Sequence, residues 1–193
     1  MSDFNNQIIQ IFEQSVDSLT KSLSLKTQIN DAINLIINSI KNGNKLIIFG
    51  NGGSAADAQH IAAELIGRFK LERKSLPAIA LTTDSSILTS LGNDYSYDVI
   101  FSRQCESLVL KNDVVMGIST SGNSKNVELG MITAQKIGAK TIGLLGNNGG
   151  TIKSVSNIPI IVNSKDTANI QESHRVIYHI ICDLVEKQLS EKL

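Results

Sequence analysis

The chain has 193 residues, 41% of them hydrophobic and 19% charged, enough to bury a core without disulfide or metal staples. Lys and Arg number 18 and Asp and Glu also 18, so no long-range field draws the chain to nucleic acid or to an anionic membrane. No apolar run approaches the length of a membrane span, and MSDFNNQIIQ at the start lacks the basic beginning and apolar stretch of a signal peptide; a cytoplasmic protein with no nucleic-acid or membrane partner is expected.

Two helical segments open the chain, at about 3–20 and 24–41. The second carries Ile29, Ile33, Ile36, Ile37 and Ile40 at helical spacing, a stripe that reads as core. The first places Ile8, Ile9, Phe12 and Val16 in the same way. It lies outside any βαβ unit and has no obvious sheet to cover, so packing on another subunit is expected.

Five short apolar runs follow: KLIIFG (45–50), AIALTT (78–83), DVVMGIST (113–120), AKTIGLLG (139–146) and IPIIVNS (158–164). They are rich in Val and Ile and apolar almost throughout, as parallel strands covered on both faces are. Helix-period segments lie between them, among them 54–69 and 124–139, and a last helix spans about 167–191. Alternation of this kind predicts a doubly wound α/β sandwich with a five-stranded parallel sheet and an N-terminal helical extension. The expected organisation is one domain over 1–193, with helices in 1–41 and the α/β core in 42–193. Cys105 and Cys182 sit far apart in helix-like patterns and read as small core residues.

In an open α/β sheet, ligands bind at the C-terminal ends of the strands. After the first run comes Gly50-Asn51-Gly52-Gly53-Ser54-Ala55, a weak match to the dinucleotide pattern G-x-G-x-x-A. The acid that would hold a ribose is misplaced: Glu72 precedes the second strand and Asp84 comes late. No Gly-Lys-Ser/Thr follows, which also excludes a P-loop. After VVMGI comes Ser119-Thr120-Ser121-Gly122-Asn123-Ser124 at the start of another helix. Hydroxyls and backbone N–H groups at a helix N-terminus form an anion site that suits a phosphate monoester; an ordinary N-cap and turn would use the same residue types. Two such loops in one sheet favour a ligand.

His60 and Glu64 are four apart and share a helix face. Their neighbours Ile61, Ala62, Ala63, Leu65 and Ile66 are apolar, which fits a reactive pair behind a ligand loop better than a surface pair. On the last helix Gln171, Arg175 and His179 step by four along one side, and His174 lies off that line as a structural histidine.

FGNGGSAADAQHIAAEL, LTTDSSILTSLGNDYSYD, GISTSGNSKNV and the QE-x-H…H helix together resemble the phosphoheptose isomerases, single-domain members of the sugar isomerase (SIS) phosphosugar-binding superfamily, nearly end to end. The serine-rich loop marks the superfamily; His60-x-x-x-Glu64 with Gln171 and His179 is far more specific. The resemblance implies that Asn51, Gly52, Gly53 and Ser54 line the sugar, and that Asn93 and Asp94 contact its hydroxyls. It implies that Ser119, Thr120, Ser121 and Ser124 hold the phosphate, with Arg68 as a positive ligand of the pocket. Glu64 and His179 match the family's acid–base pair, and His60, Glu64, Gln171 and His179 match its zinc site.

The implied reaction converts sedoheptulose 7-phosphate to D-glycero-D-manno-heptose 7-phosphate through a cis-enediol, in a homotetramer. A different sugar phosphate is one alternative. A non-catalytic regulator of the same fold that binds the replication initiator is another, but it would not need Glu64 and His179 together.

Overall fold

The computed structural model describes residues 3–190. Helices α1 (Asn5–Ser22) and α2 (Lys26–Lys41) are joined by a 3-10 turn at Leu23–Leu25 and precede the sheet. The remaining helices are α3 (Gly53–Ile66), α4 (Ser85–Asp94), α5 (Ile100–Leu108), α6 (Lys125–Ile137) and α7 (Thr167–Ser190). Strands β1 (Leu46–Gly50), β2 (Ala78–Ala80), β3 (Val114–Ser119), β4 (Lys140–Gly146) and β5 (Ile158–Val162) pair in parallel in the order β2-β1-β3-β4-β5.

Alternate strand residues feed two cores. Leu46 and Ile48 of β1, with Val114, Met116 and Ile118 of β3, pack under α2, α3 and α7. Ile47 and Phe49 of β1, with Val115 of β3, pack under α5 and α6. Burial on both faces is why the strands read as unbroken apolar runs. The strand order reverses between β1 and β3, and the loops leaving those two strands flank the crevice where such sheets take ligands.

The second predicted run yields only three residues of strand. Leu81 N–H still donates to the Ile48 carbonyl at 3.0 Å, but Thr82 and Thr83 turn away. The Asp84 carboxylate caps α4 by accepting the Ile87 N–H at 2.9 Å. β-Branched threonines look like strand; the capping chemistry three residues later wins. α4 itself buries no residue fully, so it gave no apolar stripe to read.

α1 lies on α7, where the Ser18 and Ser173 hydroxyls meet at 3.1 Å in a buried contact. Its outward side leaves Ile8, Ile9, Phe12 and Val16 48–68% exposed. Leu19, Leu23, Ile29, Ile33, Ile180 and Leu184 line an adjoining apolar groove of about 610 Å³. Among the described residues no helix is long and apolar enough to cross a membrane.

One buried carboxylate fastens α3 to α7. Glu186 is inaccessible to solvent and accepts the N–H groups of Phe69, Lys70 and Leu71 at 2.8, 2.7 and 2.9 Å. Arg73 Nε lies 3.1 Å from the same group. The Arg73 fork also donates to the carbonyls of Glu64, Leu65 and Gly67 at 2.9, 2.8 and 3.2 Å, which satisfies the free C-terminal end of α3. Burial alone would raise the Glu186 pKa; the backbone donors and Arg73 outweigh it and hold the carboxyl below its ordinary value. Replacing Glu186 with Gln strands a buried guanidinium, which costs about 3–5 kcal/mol. Urea unfolding at fixed protein concentration should show that loss as a lower midpoint with an unchanged slope.

Candidate active site

Both ligand loops are tied to each other and to their surroundings. After β1, the Asn51 side chain pairs reciprocally with Asn126 of α6: Asn51 Nδ2 donates to Asn126 Oδ1 at 2.8 Å, and Asn126 Nδ2 donates back to Asn51 Oδ1 at 2.9 Å. The Tyr97 hydroxyl adds a third bond to Asn51 Oδ1 at 3.0 Å. Gln171 of α7 lies directly over Gly53, so close that a Cβ there would meet the amide and the Gln171 side chain would have to shift. Ser54 is buried just behind.

After β3, Ser119 Oγ lies 2.9 Å from Ser124 Oγ and 3.4 Å from Ser121 Oγ, and it accepts the Gly122 N–H at 3.1 Å. Gly122 takes φ +70°, which turns the loop sharply. The Asn147 amide pins the Thr120 carbonyl at 2.9 Å. Ser124 occupies the N-cap position of α6 but makes no capping bond. A hydroxyl cluster at a helix N-terminus that is not spent on capping can receive an anion.

Behind these loops, α3 and α7 bring His60, Glu64 and His179 together. His60 Nε2 lies 2.8 Å from Glu64 Oε1 and 3.5 Å from His179 Nε2. One ligand atom from each of the three falls within 4.8 Å of the others, a group that could hold a metal ion. Phe69 packs its ring against His179, with centroids 5.5 Å apart. Burial, followed by the neighbouring His60, pushes the His179 pKa below its usual value.

A second layer that the sequence did not reveal supports this cluster. Tyr178 Oη meets His60 Nδ1 at 3.4 Å and the buried Asp57 Oδ1 at 3.2 Å. Arg175 donates to Tyr178 Oη through Nε and to Asp57 Oδ1 through Nη2, each at 3.1 Å. Burial, then Asp57, raises the Tyr178 pKa to about 12 and keeps it a phenol. Asp57 could have been noticed as a lone acid one turn before His60 on an alanine-rich helix. Asn126, Tyr97 and Tyr178 carried no comparable signal.

Other expected residues have contacts of their own. Gln171 precedes His179 by eight positions, roughly 12 Å along a helix, and its amide lies over Gly53. Arg68 extends past the end of α3 toward Glu72, 3.6 Å away, with its side chain 61% exposed. Asn93 and Asp94 end α4, where Asn93 donates to Asp94 at 2.8 Å. Cys105 and Cys182 are buried, and burial pushes both thiols up to about 12, so neither is a nucleophile near neutrality.

The SIS domain family matches residues 6–146, which defines the class of fold and ligand loop described above. The phosphoheptose isomerase of Citrifermentans bemidjiense is 60% identical over 168 residues, covering 87% of this chain and 88% of that protein. A solved phosphoheptose isomerase from Neisseria gonorrhoeae superposes with a TM-score of 0.91 at 37% identity, covering 96% of this chain and 100% of that one. One from Francisella tularensis gives 0.92 at 34% identity over the same shares. The chain belongs to the SIS domain family and, within it, to the phosphoheptose isomerases.

His174, five residues before His179, is fully buried. Burial pulls its pKa down to about 4, opposed only in part by the Leu145 carbonyl and by Asp57. The folded state therefore refuses a proton that the unfolded chain accepts below about 6.5. Stability is full above that pH and falls as pH drops from 6.5 toward 4, by about 3 kcal/mol for this histidine. Glu186 begins to lose its contribution only as pH falls below 4.5. Urea midpoints measured from pH 7.5 to 5 should decline in the native chain and decline less in His174→Gln.

Proposed function

We propose that the chain isomerises sedoheptulose 7-phosphate to D-glycero-D-manno-heptose 7-phosphate in the cytoplasm, supplying bacterial surface heptose, with Glu64 and His179 as its acid–base pair. Aldose–ketose isomerisation is the reaction of the family. It needs one group to take a carbon-bound proton and another to move a proton on the adjacent oxygen, through a cis-enediol. The observation that carries the assignment is the convergence of Glu64 and His179 from helices distant in sequence, in a fold that also carries a hydroxyl-lined loop suited to an anion.

Glu64 serves as the base. Its Oε1 meets His60, which leaves Oε2 for the carbon-bound proton. His179 gives and retrieves the oxygen proton near neutrality. Ser119, Thr120, Ser121 and Ser124 anchor the phosphate, so the carbonyl end is delivered to the acid–base pair by proximity. The backbone of Asn51, Gly52 and Gly53 lines the sugar, because the Asn51 amide is already committed to Asn126. Ser54, Asn93, Asp94 and Gln171 meet its hydroxyls, and Arg68 adds positive charge at the rim.

His60, Glu64 and His179 would hold a zinc ion. Tetrahedral zinc with bonds of about 2.0–2.1 Å spaces its nitrogen ligands roughly 3.4 Å apart, and the two imidazole nitrogens lie 3.5 Å apart. Gln171 is the fourth ligand the resemblance implies, and its amide lies over Gly53 at the sugar end of the site. When bound, the ion supplies Lewis-acid polarisation of the substrate carbonyl.

The exposed apolar side of α1, with Val176, Ile180 and Leu184 of α7, supports self-association, since a patch of this kind is costly on a monomer, and the assembly proposed is the homotetramer that the resemblance implies. Light scattering should give the mass of four chains; the mass of one chain at micromolar concentration would overturn the assembly.

Ser124→Ala removes one hydrogen bond to a charged group, worth about 1.5–3 kcal/mol. KM for sedoheptulose 7-phosphate should rise about 10- to 100-fold with the unfolding midpoint unchanged, and a normal KM would remove phosphate from this loop.

Glu64→Gln and His179→Ala should each lower kcat by about 10²–10⁴-fold. The double variant should be little worse than the worse single one, because residues acting as a unit are non-additive. Near-normal turnover by Glu64→Gln would put the base elsewhere.

A further inference from the structure

We propose that Phe69, pinned by the Glu186 carboxylate, is the wall that orients the His179 imidazole toward His60 and Glu64. The proposal rests on the acid–base role given to His179 above.

An imidazole is set by two torsions, and the second is broad, so a histidine takes its working orientation from its surroundings. The usual device is a hydrogen bond at the second ring nitrogen. His179 lacks it. Its Nε2 meets His60 Nε2 at 3.5 Å, the outer limit of a hydrogen bond, and among the described residues this is the imidazole's one polar contact. Packing must do the rest.

Three rings stand against the imidazole. His60, with centroids 5.1 Å apart, is the partner to be faced, and Tyr178, at 4.7 Å, is the preceding residue of the same helix. Phe69 is the third, 5.5 Å away and inclined by 32°. It lies past the end of α3 in a segment that belongs to no helix or strand, so its ring needs an anchor. Glu186 supplies one by accepting the N–H groups of Phe69, Lys70 and Leu71 at 2.8, 2.7 and 2.9 Å. Lys70 adds a second tie, with Nζ over the Phe69 ring at 4.9 Å and 3.4 Å from Asp183 Oδ2. Glu186 follows His179 by seven positions, about two turns on along the same side of α7. One helix thus carries both the imidazole and the carboxylate that places its wall. Phe69 is a positioning residue that acts through His179.

Steady-state kinetics with sedoheptulose 7-phosphate test this, with circular dichroism to show that each variant is folded. Phe69→Leu keeps an apolar side chain but loses the flat ring. Its kcat should fall about 10- to 100-fold, as displacement of a reacting group by about 1 Å does. KM should stay within about twofold, because the phosphate loop is untouched. Phe69→Tyr keeps the ring and should retain most of the native kcat. Added to His179→Ala, Phe69→Leu should cost nothing further, since its effect runs through the missing imidazole. Glu186→Asp keeps the charge beside Arg73 but draws the acceptors back; it should lower kcat alone and add little to Phe69→Leu. Near-normal turnover by His179→Ala would sink the acid–base reading itself. With that reading intact, a native kcat in folded Phe69→Leu overturns the wall. A full multiplicative loss in the double variant, or a rise in KM alone, overturns it equally. A native kcat in folded Glu186→Asp overturns the pinning.

Discussion

The site exists only while the seam between α3 and α7 holds. Successive turns of α7 meet successive turns of α3: Gln171 covers Gly53, Arg175 reaches Asp57, and His179 faces His60. Ala58, Ile61, Ala62 and Leu65 bury the rest of α3, and the two alanines contribute little bulk on that face. At the far end Glu186 gathers the chain that leaves α3. The exposed pairs Lys21–Asp17 and Arg103–Glu106 contribute at most about 1 kcal/mol each. Arg73–Glu186 is different in kind, because neither side chain has water to fall back on. It also fixes Phe69, whose ring limits how the His179 imidazole can tilt.

The two ligand loops depend on a different constraint. Parallel strands in the order β2-β1-β3-β4-β5 put the ends of β1 and β3 side by side, so loops separated by 75 positions can share the Asn51–Asn126 amide pair. That pair removes one degree of freedom from each loop before any ligand arrives, a form of preorganisation that lowers the cost of binding. The sheet supplies adjacency and the side chains supply rigidity.

Much of this was legible in the sequence, for reasons that differ by residue. The β1, β3, β4 and β5 runs announced themselves because burial on both faces leaves little room for polar residues. His60 and Glu64 stood out because their neighbours are apolar. The α4 segment was not read as helix, since it buries no residue and so has no stripe. Glu186 and Arg73 looked like ordinary helix and loop charges, because the partners that make them necessary lie more than 100 positions away.

Asn51 is followed by glycine, the dipeptide in which an asparagine side chain is most easily attacked by the next backbone nitrogen and converted to aspartate. Such ageing needs the side chain to swing toward that nitrogen. Here its Oδ1 is held by Asn126 and Tyr97 and its Nδ2 by Asn126, so the swing would break three hydrogen bonds at once. Conversion would also put a carboxylate opposite Asn126 Oδ1, beside a loop shaped for another anion. The same amide pair that joins the loops thus sets the chemical lifetime of the site.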